Sequence, residues 1–330
     1  MRQPSVHVTG ALIIALTFLK PEKVVYWLQV ALFVFFLLGC ADVALARYHK
    51  WHFEPTTPHA KRFALVTGAS SGIGREMAYL LAEKKYSLVL AARSKEILER
   101  MKAEIELVHK PLDVEICVCD LNTSDGVQKL INYVNKRELV IDILINNAGA
   151  ALLREFTHLS EKQIEDQVNL NVLAMTRLTR AIAPQMAGRK IGRVLNIGSA
   201  VSSVPMPYMA LYSASKAFML SFSQAINYEL RSTGVTVTCY CPGPVDTNFN
   251  NAAKLEKPFF SYVPGATLHP KDCATQALDA MFNAEDYAYD SAFYVFMTTC
   301  FRSALPARLG MFIGAVATSD LQKIPSLLKR

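Results

Sequence analysis

From residue 63 onward, short apolar runs typical of strands alternate with longer segments typical of helices. The strand-like runs cover residues 63–67, 87–92, 114–119, 141–146, 192–198 and 235–241. Helical spacing of apolar residues follows several of them, as with Ile97, Met101, Ile105 and Val108. Such alternation is typical of a parallel sheet with helices on both faces. The sequence predicts one α/β domain with a doubly wound parallel sheet over residues 61–330, with residues 160–186 and 212–231 largely helical.

The composition excludes several classes of protein. Apolar residues make up 52% of the 330 and charged residues 19%, so a disordered or fibrous chain is excluded. The net charge of +7 favours anionic partners, but no basic run is interleaved with aromatic residues, and we expect no nucleic acid partner. The seven cysteines lack metal-site spacing. We expect no metal site, and we expect the C-x-C pairs at 117/119 and 239/241 to be buried free thiols.

The first sixty residues have a different character from the rest. Residues 24–46 form an apolar stretch long enough to cross a bilayer, with positive charge on both flanks, so the orientation is not set. The shorter apolar run at residues 10–19 does not reach across alone. A cleaved signal peptide and a soluble helix packed on the domain remain as alternatives. The sequence predicts a membrane anchor and linker over residues 1–60, with a transmembrane helix at about 24–46.

A glycine-rich turn follows the first predicted strand and reads Gly68-Ala-Ser-Ser-Gly72-Ile-Gly74. Glycines at this point let the backbone approach a pyrophosphate, and the next helix offers unpaired N–H groups. The spacing differs from the usual dinucleotide fingerprint, so an ordinary strand–helix turn is the alternative. The predicted cofactor contacts are Gly68, Ser70, Ser71, Gly72, Ile73 and Gly74.

The end of the second predicted strand reads Leu90-Ala-Ala-Arg93. An NAD site usually has a carboxylate there to hold the ribose hydroxyls, and this chain has a cation. A guanidinium binds a 2′-phosphate through forked hydrogen bonds. Arg93 therefore predicts NADP(H) as the cofactor.

A second chemical pattern is Tyr212-Ser-Ala-Ser-Lys216. Positions four apart share one helix face, so the phenol and the ammonium point the same way. A neighbouring ammonium, together with a nicotinamide ring that is cationic when oxidised, would stabilise a phenolate and lower the phenol pKa towards neutrality. A surface pair is the alternative for this common spacing. Ser199, thirteen residues earlier at the end of a predicted strand, favours a catalytic role.

These motifs together resemble the short-chain dehydrogenase/reductase family over roughly residues 61–285. The match consists of spaced residues in family order: Thr67, Gly68, Gly72, Gly74, Asp120, Asn146, Asn147, Ala148, Gly149, Asn171, Ser199, Tyr212, Lys216, Pro242, Gly243 and Thr247. The resemblance implies a Rossmann-type fold and an NADP(H)-dependent oxidoreductase. One departure is Gly198, which stands where many members have a second serine.

The resemblance also implies a role for each matching residue. Tyr212 would exchange a proton with the substrate oxygen, Ser199 would orient that oxygen, and Lys216 would hold the nicotinamide ribose and lower the Tyr212 pKa. Asn171 would kink its helix and hold a water in a proton path. Asp120 would meet the adenine amine, and Asn147, Ala148 and Gly149 would line the adenosine ribose. The nicotinamide carboxamide would bind the loop that contains Pro242, Gly243, Val245 and Thr247.

The substrate is implied by a looser resemblance and by the apolar runs at residues 258–263, 291–297 and 305–313, which we expect to form a lid and tail within residues 250–330. A last sheet strand followed by a packing helix is the alternative for the tail. With the predicted anchor, the chain resembles membrane-bound very-long-chain 3-oxoacyl-CoA reductases and 17β-hydroxysteroid dehydrogenases. This implies reduction of a 3-oxoacyl-CoA with NADPH. The alternatives are a hydroxysteroid or retinoid dehydrogenase, a 3-ketosphinganine reductase, and a membrane scaffold without catalysis.

The same resemblance implies a location and an assembly. It predicts an enzyme of lipid metabolism in the endoplasmic reticulum membrane, and the family resemblance predicts a homodimer. The glycosylation sequon at Asn122 lies beside the expected adenine pocket, where a glycan would be awkward. This favours a catalytic domain that faces the cytosol.

Overall fold

The computed structural model describes residues 62–247, 267–303 and 307–318, together with six isolated helical positions between residues 23 and 37. Contacts divide the chain into two units, Met1–Trp51 and His52–Arg330, and the sheet lies in the second. Except for five isolated positions, the predicted membrane span at 24–46 lies outside the described residues. The apolar run at 258–263 lies wholly outside them. Among the residues that are described, no helix combines the length and the apolar character that crossing a bilayer requires.

The second unit contains a seven-stranded, fully parallel sheet in the order β3-β2-β1-β4-β5-β6-β7. The strands are β1 (Phe63–Thr67), β2 (Ser87–Ala92), β3 (Val114–Val118), β4 (Ile141–Asn146), β5 (Gly192–Ile197), β6 (Val235–Cys241) and β7 (Tyr287–Tyr289). The six predicted strands are confirmed to within one residue at each end, and the three-residue β7 was not predicted. Strand order reverses between β1 and β4, which opens a crevice at their carboxyl ends.

Helices connect the strands and cover both faces of the sheet. They are α1 (Gly72–Glu83), α2 (Lys95–Val108), α3 (Ser124–Lys136), α4 (Glu161–Val168), α5 (Met175–Arg189), α6 (Ala210–Leu230), α7 (Pro270–Phe282), α8 (Ala292–Ser303) and α9 (Ala307–Thr318). A π-helical turn, Asn169–Ala174, joins α4 to α5. The predicted helix at 160–186 is therefore two helices with a widened turn between them.

Alternate residues of β1 show how the two faces are buried. Ala64 and Val66 pack in a cluster with α1, α2 and α7, whereas Phe63 and Leu65 pack in a second cluster with α3 and α5. Successive strand residues point to opposite faces, so a strand that is buried throughout must be covered on both sides. This confirms the doubly wound architecture.

The predicted buried face of α2 needs a correction. Ile97 and Val108 are 39% and 70% exposed, and the buried residues of this helix are Leu98, Met101 and Ile105. These three lie three and four residues apart and form a single stripe towards the sheet. Ile97 lies outside this stripe because it is one position, about 100°, away from Leu98.

Candidate active site

The carboxyl ends of the strands surround a cavity of about 710 Å³. It contains nearly all of the residues that the sequence predicted for cofactor and catalysis: Gly68, Ser70, Ser71, Gly72, Ile73, Arg93, Asp120, Asn147, Ala148, Gly149, Ser199, Tyr212, Lys216, Pro242, Gly243, Val245 and Thr247. Most follow the ends of β1 to β6, and Tyr212 and Lys216 belong to α6. The cavity lies where the strand order reverses, which is the usual ligand position in open parallel sheets.

Three predicted catalytic side chains meet inside this cavity. Ser199 directly precedes a 3₁₀ turn after β5, while Tyr212 and Lys216 are 7% and 4% exposed on α6. The Lys216 Nζ donates a 2.6 Å hydrogen bond to the Ile197 carbonyl and lies 5.7 Å from the centre of the Tyr212 ring. The sequence prediction that these residues share one space is confirmed by this geometry.

Burial shifts the pKa values of both Tyr212 and Lys216. Burial raises the pKa of Tyr212 to about 12, and a hydrogen bond with the Ser199 side chain acts in the opposite direction. Burial also lowers the pKa of Lys216 to about 8. Removal from water is the largest cause of both shifts, and the expected lowering of the Tyr212 pKa by Lys216 and an oxidised nicotinamide ring stays a prediction. Both shifts favour the neutral forms of the two groups.

Asn171 lies in the π-helical turn and is fully buried. Its Oδ1 accepts a 2.9 Å hydrogen bond from the Ala150 amide, and its Nδ2 donates to the Ala150 carbonyl at 2.9 Å and to Ser215 Oγ at 3.0 Å. The side chain thus connects the segment after β4 to helix α6, one residue before Lys216. The helix distortion lies at the predicted position, and the role in a water path stays a prediction.

The glycine turn has the backbone that a close ligand approach requires. Gly68 and Gly72 have φ angles of +65° and +55°, in the region that favours glycine. A Cβ on Gly68 would lie 2.9 Å from Asn147 Nδ2, and a Cβ on Gly72 would lie 3.0 Å from a Thr247 methyl. The turn is therefore packed against the segments after β4 and β6 and leaves the amino end of α1 at the cavity.

Gly74, also predicted as a cofactor contact, lies outside the cavity lining, and its contact with a cofactor stays a prediction. A Cβ at this position would collide with Asn147 Nδ2 and with the Gly68 carbonyl. Asn147 Nδ2 itself donates a 3.0 Å hydrogen bond to the Thr67 carbonyl. Gly74 is needed for close packing of α1 against the β1 and β4 ends, a role that the motif alone does not separate from ligand contact.

Arg93 and Asp120, both predicted to bind the adenosine end of a cofactor, line the cavity. Arg93 is exposed at the end of β2, and no carboxylate takes its place there. Asp120 accepts a 3.1 Å hydrogen bond from the Asn122 amide. Both residues also line a neighbouring hollow that includes Lys129, a cation that the motifs did not identify.

The loop after β6 is held from two sides. The Ala200 amide donates a 2.7 Å hydrogen bond to the Pro242 carbonyl, and the Gly243 amide donates a 2.9 Å hydrogen bond to Asp290 Oδ2. Burial raises the pKa of Asp290, and the bond from Gly243 is the largest opposing effect. Asp290 was missed at the sequence level, because no motif spacing relates it to Gly243.

The remaining wall of the cavity is mostly apolar. It consists of residues before α6, on α8 and on α9: Val201, Val204, Met206, Met209, Phe293, Tyr294, Met297, Thr298, Ile313 and Gly314. The runs at 291–297 and 305–313 thus contribute to this wall, as predicted for a lid. The four residues between Ser199 and Tyr212 were missed, although their apolar character was a usable signal.

Comparison with known proteins identifies the family of this chain. A family model described as short chain dehydrogenase matches residues 62–258. The chain belongs to the short-chain dehydrogenase family. It is an oxidoreductase of the kind that uses a nicotinamide cofactor.

The curated relatives of this short-chain dehydrogenase are distant and only partly covered. A very-long-chain 3-oxoacyl-CoA reductase of Mycosarcoma maydis is 34% identical over 66% of this chain and 61% of that protein. The reductase of the same name from Anas platyrhynchos is 32% identical over 62% and 65%. Hydroxysteroid dehydrogenase-like protein 1 of Gallus gallus is 31% identical over 62% of each. The chain therefore spans somewhat less than two thirds of the length of these relatives.

Solved structures resemble this short-chain dehydrogenase over most of their length. A short-chain dehydrogenase from Sphingobium yanoikuyae in complex with NADPH has a TM-score of 0.65 at 29% identity and covers 75% of this chain and 99% of that one. A serine dehydrogenase complexed with NADP⁺ has a TM-score of 0.61 at 27% identity, over 69% and 93%. The left-handed Gly68 and Gly72 and the amino end of α1 fit a dinucleotide at the corresponding place here.

Buried thiols lie beside the catalytic residues. Cys239 and Cys241 have their sulfurs 3.8 Å apart, and both are free, as are the buried Cys117 and Cys119. The prediction of buried free thiols is confirmed for these four. A Cβ on Gly198 would lie 2.9 and 3.0 Å from the Cys241 and Cys239 sulfurs, which explains why this member lacks the second serine. Within the described ranges, no group of three or more His, Cys, Asp or Glu could hold a metal ion.

Proposed function

We propose that this short-chain dehydrogenase reduces a ketone on a lipophilic substrate with NADPH, and that the substrate is a 3-oxoacyl-CoA, which becomes the 3-hydroxyacyl-CoA. The observation that carries the proposal is the position of Ser199, Tyr212 and Lys216 between the glycine turn and a chamber of apolar side chains. An apolar chamber with few polar groups suits an acyl chain. The names of the fungal and avian relatives support the same reaction.

The residues present can hold the cofactor that this reaction needs. The amides of the turn from Gly68 to Gly72 and the amino end of α1 would bind the pyrophosphate, and the loop at Gly243 would bind the carboxamide. A nicotinamide cofactor supplies the hydride when it is bound. Arg93 would hold the 2′-phosphate, so we propose a preference for NADPH over NADH.

The catalytic side chains divide the remaining chemistry between them. Ser199 donates a hydrogen bond to the substrate carbonyl oxygen, and Tyr212 gives its phenolic proton to the same oxygen as the alcohol forms. A phenol with a pKa near its ordinary value of about 10, or above it, is protonated at neutral pH, as a proton donor must be. The resulting phenolate is stabilised by Ser199 and regains a proton by way of Lys216, with Asn171 supporting the segment beside it.

Turnover of a ketone panel tests the substrate. Purified full-length protein in detergent is offered 3-oxoacyl-CoAs of increasing chain length, steroid ketones and 3-ketosphinganine, while NADPH oxidation is followed at one protein concentration. We expect the highest kcat/KM with a long 3-oxoacyl-CoA and none with Tyr212→Phe. A preference for a steroid ketone would instead support the second candidate, a hydroxysteroid dehydrogenase, which the Gallus gallus relative favours by its name.

The same experiment tests the alternative of a scaffold without catalysis. A scaffold would bind NADPH, as detected by the change in its fluorescence, and would turn over none of the ketones. The intact Ser199, Tyr212 and Lys216 favour an enzyme, since a scaffold has no need to keep the proton donor buried beside the cofactor site.

We further propose a location in the endoplasmic reticulum membrane with the catalytic unit facing the cytosol, and a homodimer. The apolar residues 24–46 support membrane attachment, and Phe218, an exposed aromatic residue on α6, supports self-association. Deletion of residues 1–50 should release the protein from a membrane fraction, which tests membrane attachment.

Two further measurements test the orientation and the dimer. Protection of the catalytic unit from protease in sealed microsomes would contradict a cytosolic orientation. A monomer in multi-angle light scattering would contradict the dimer.

A further inference from the structure

Gly243 lies at the point where the cofactor side and the substrate side of the cavity meet. Its amide is bonded to Asp290 Oδ2 at 2.9 Å, and the preceding carbonyl, of Pro242, accepts from Ala200 at 2.7 Å. Ala200 directly follows the catalytic Ser199. The loop is therefore fixed on one side by the catalytic segment and on the other by a carboxylate.

Asp290 belongs to the substrate side of the molecule. It follows β7 (Tyr287–Tyr289) and stands two residues before α8 (Ala292–Ser303). Helix α8 contributes Phe293, Tyr294 and Met297 to the apolar wall of the cavity. A movement of the start of α8 would therefore move the carboxylate that holds Gly243.

A second contact joins the same two elements. A Cβ built on Gly243 would collide with the Tyr294 ring, so the hydroxyl-bearing edge of that ring lies close against the glycine. Tyr294 is one helical turn after Asp290, and its ring also lines the cavity. Two residues at or just before the start of α8 thus hold the loop: Asp290 accepts a hydrogen bond from Gly243, and the Tyr294 ring packs against it.

We propose that Asp290 is a positioning residue for the nicotinamide end of the cofactor, which holds the Gly243 amide in place and couples the cofactor loop to the substrate helix α8. The proposal rests on the proposed function in one respect, that the loop at Gly243 receives a nicotinamide cofactor. Asp290 touches neither cofactor nor substrate and acts through Gly243.

The test compares Asp290→Ala with Asp290→Asn, whose amide oxygen can still accept from Gly243. The matched control is Asp272→Ala, which removes an exposed carboxylate from α7. Two measurements are made on the full chain: hydrogen–deuterium exchange of the segment around Gly243 without cofactor, and the NADPH dissociation constant from its fluorescence. Thermal unfolding of each variant identifies any general loss of structure.

With Asp290→Ala we expect faster exchange around Gly243 and roughly tenfold weaker NADPH binding, because the Gly243 amide loses its acceptor and the loop is no longer held in position. Asp290→Asn should keep most of the wild-type protection from exchange and most of the NADPH affinity. Asp272→Ala should change neither quantity. Unchanged exchange and affinity in Asp290→Ala would overturn the proposal, as would an equal effect of Asn and Ala. If the wild-type protein binds no NADPH at all, the proposed function fails, while the exchange result still reports on how Asp290 holds the loop at Gly243.

Discussion

The Lys216 Nζ lies 5.7 Å from the centre of the Tyr212 ring, one helical turn away, and is bonded to the Ile197 carbonyl at the end of β5. Because a strand end fixes the amine, its position does not depend on a bound ligand. The proton donor and its partner are therefore already in place and buried before substrate arrives.

The proton-donor role predicts the behaviour of Tyr212→Phe. Removal of the phenol oxygen should lower kcat by about 10²–10⁴-fold, the usual contribution of a general acid, while NADPH affinity changes little. NADPH oxidation and NADPH fluorescence measure the two quantities. Tyr228→Phe is the matched control, because Tyr228 lies on the same helix and is 67% exposed. Turnover of Tyr212→Phe at the Tyr228→Phe level would remove Tyr212 from the mechanism.

The low pKa of Lys216 predicts a pH dependence of stability. The folded protein releases this proton near pH 8 and the unfolded chain only near 10.5, so between these values the unfolded state binds more protons. The free energy of unfolding should then rise with pH across this window, by roughly 2–3 kcal/mol in all. Below pH 8 both states are protonated and the rise is absent.

Urea unfolding of the wild type and of Lys216→Met between pH 7 and 10 measures this effect. The difference between the two curves isolates Lys216, and the range stops at pH 10 because the raised pKa of Tyr212 acts in the opposite direction above it. Parallel curves for the two proteins would show that the amine is not the titrating group.

The position of Arg93 predicts the cofactor preference. Arg93→Ala should raise the KM for NADPH about tenfold or more and leave the KM for NADH nearly unchanged, because only NADPH carries the 2′-phosphate. Steady-state kinetics with each cofactor measure the change in KM for NADPH and for NADH. The control is Arg100→Ala, which removes an exposed arginine from α2. An equal loss with both cofactors would mean that Arg93 does not bind the phosphate.

The contact of Gly198 with two thiols predicts a coupled effect on stability. Gly198→Ala should reduce the free energy of unfolding by about 1–3 kcal/mol, because the new methyl group is forced against Cys239 and Cys241. In a Cys239→Ala/Cys241→Ala background the cost should fall below about 1 kcal/mol. Chemical denaturation of the four proteins completes the cycle, and an identical cost in both backgrounds would assign it to another contact.

Much of this site was accessible from the sequence because its chemistry is carried by local patterns. The strands are short apolar runs with clear ends, and Tyr212 and Lys216 share a face by helix geometry alone. The cavity residues after β1 to β6 follow from the rule that parallel strands bring their carboxyl ends to one edge.

What the sequence did not reveal depends on packing between distant segments. Asp290 and Gly243 meet only because α8 folds back over the end of β6, and no spacing encodes that contact. The direction of the Tyr212 pKa shift depends on how dry its surroundings are, which a motif does not state. Gly74 belongs to the glycine motif, yet its contacts show that it is required by helix packing.

The contact between the Thr247 methyl and Gly72 joins the two ends of the cofactor cleft, which lie on opposite sides of the strand crossover. In a chain in which β6 has not yet paired with β5, the glycine turn at Gly72 lacks its contact with Thr247. A dinucleotide should therefore bind tightly only after β6 has joined the sheet. When it is present during refolding, it should stabilise the complete sheet and not forms that lack β6.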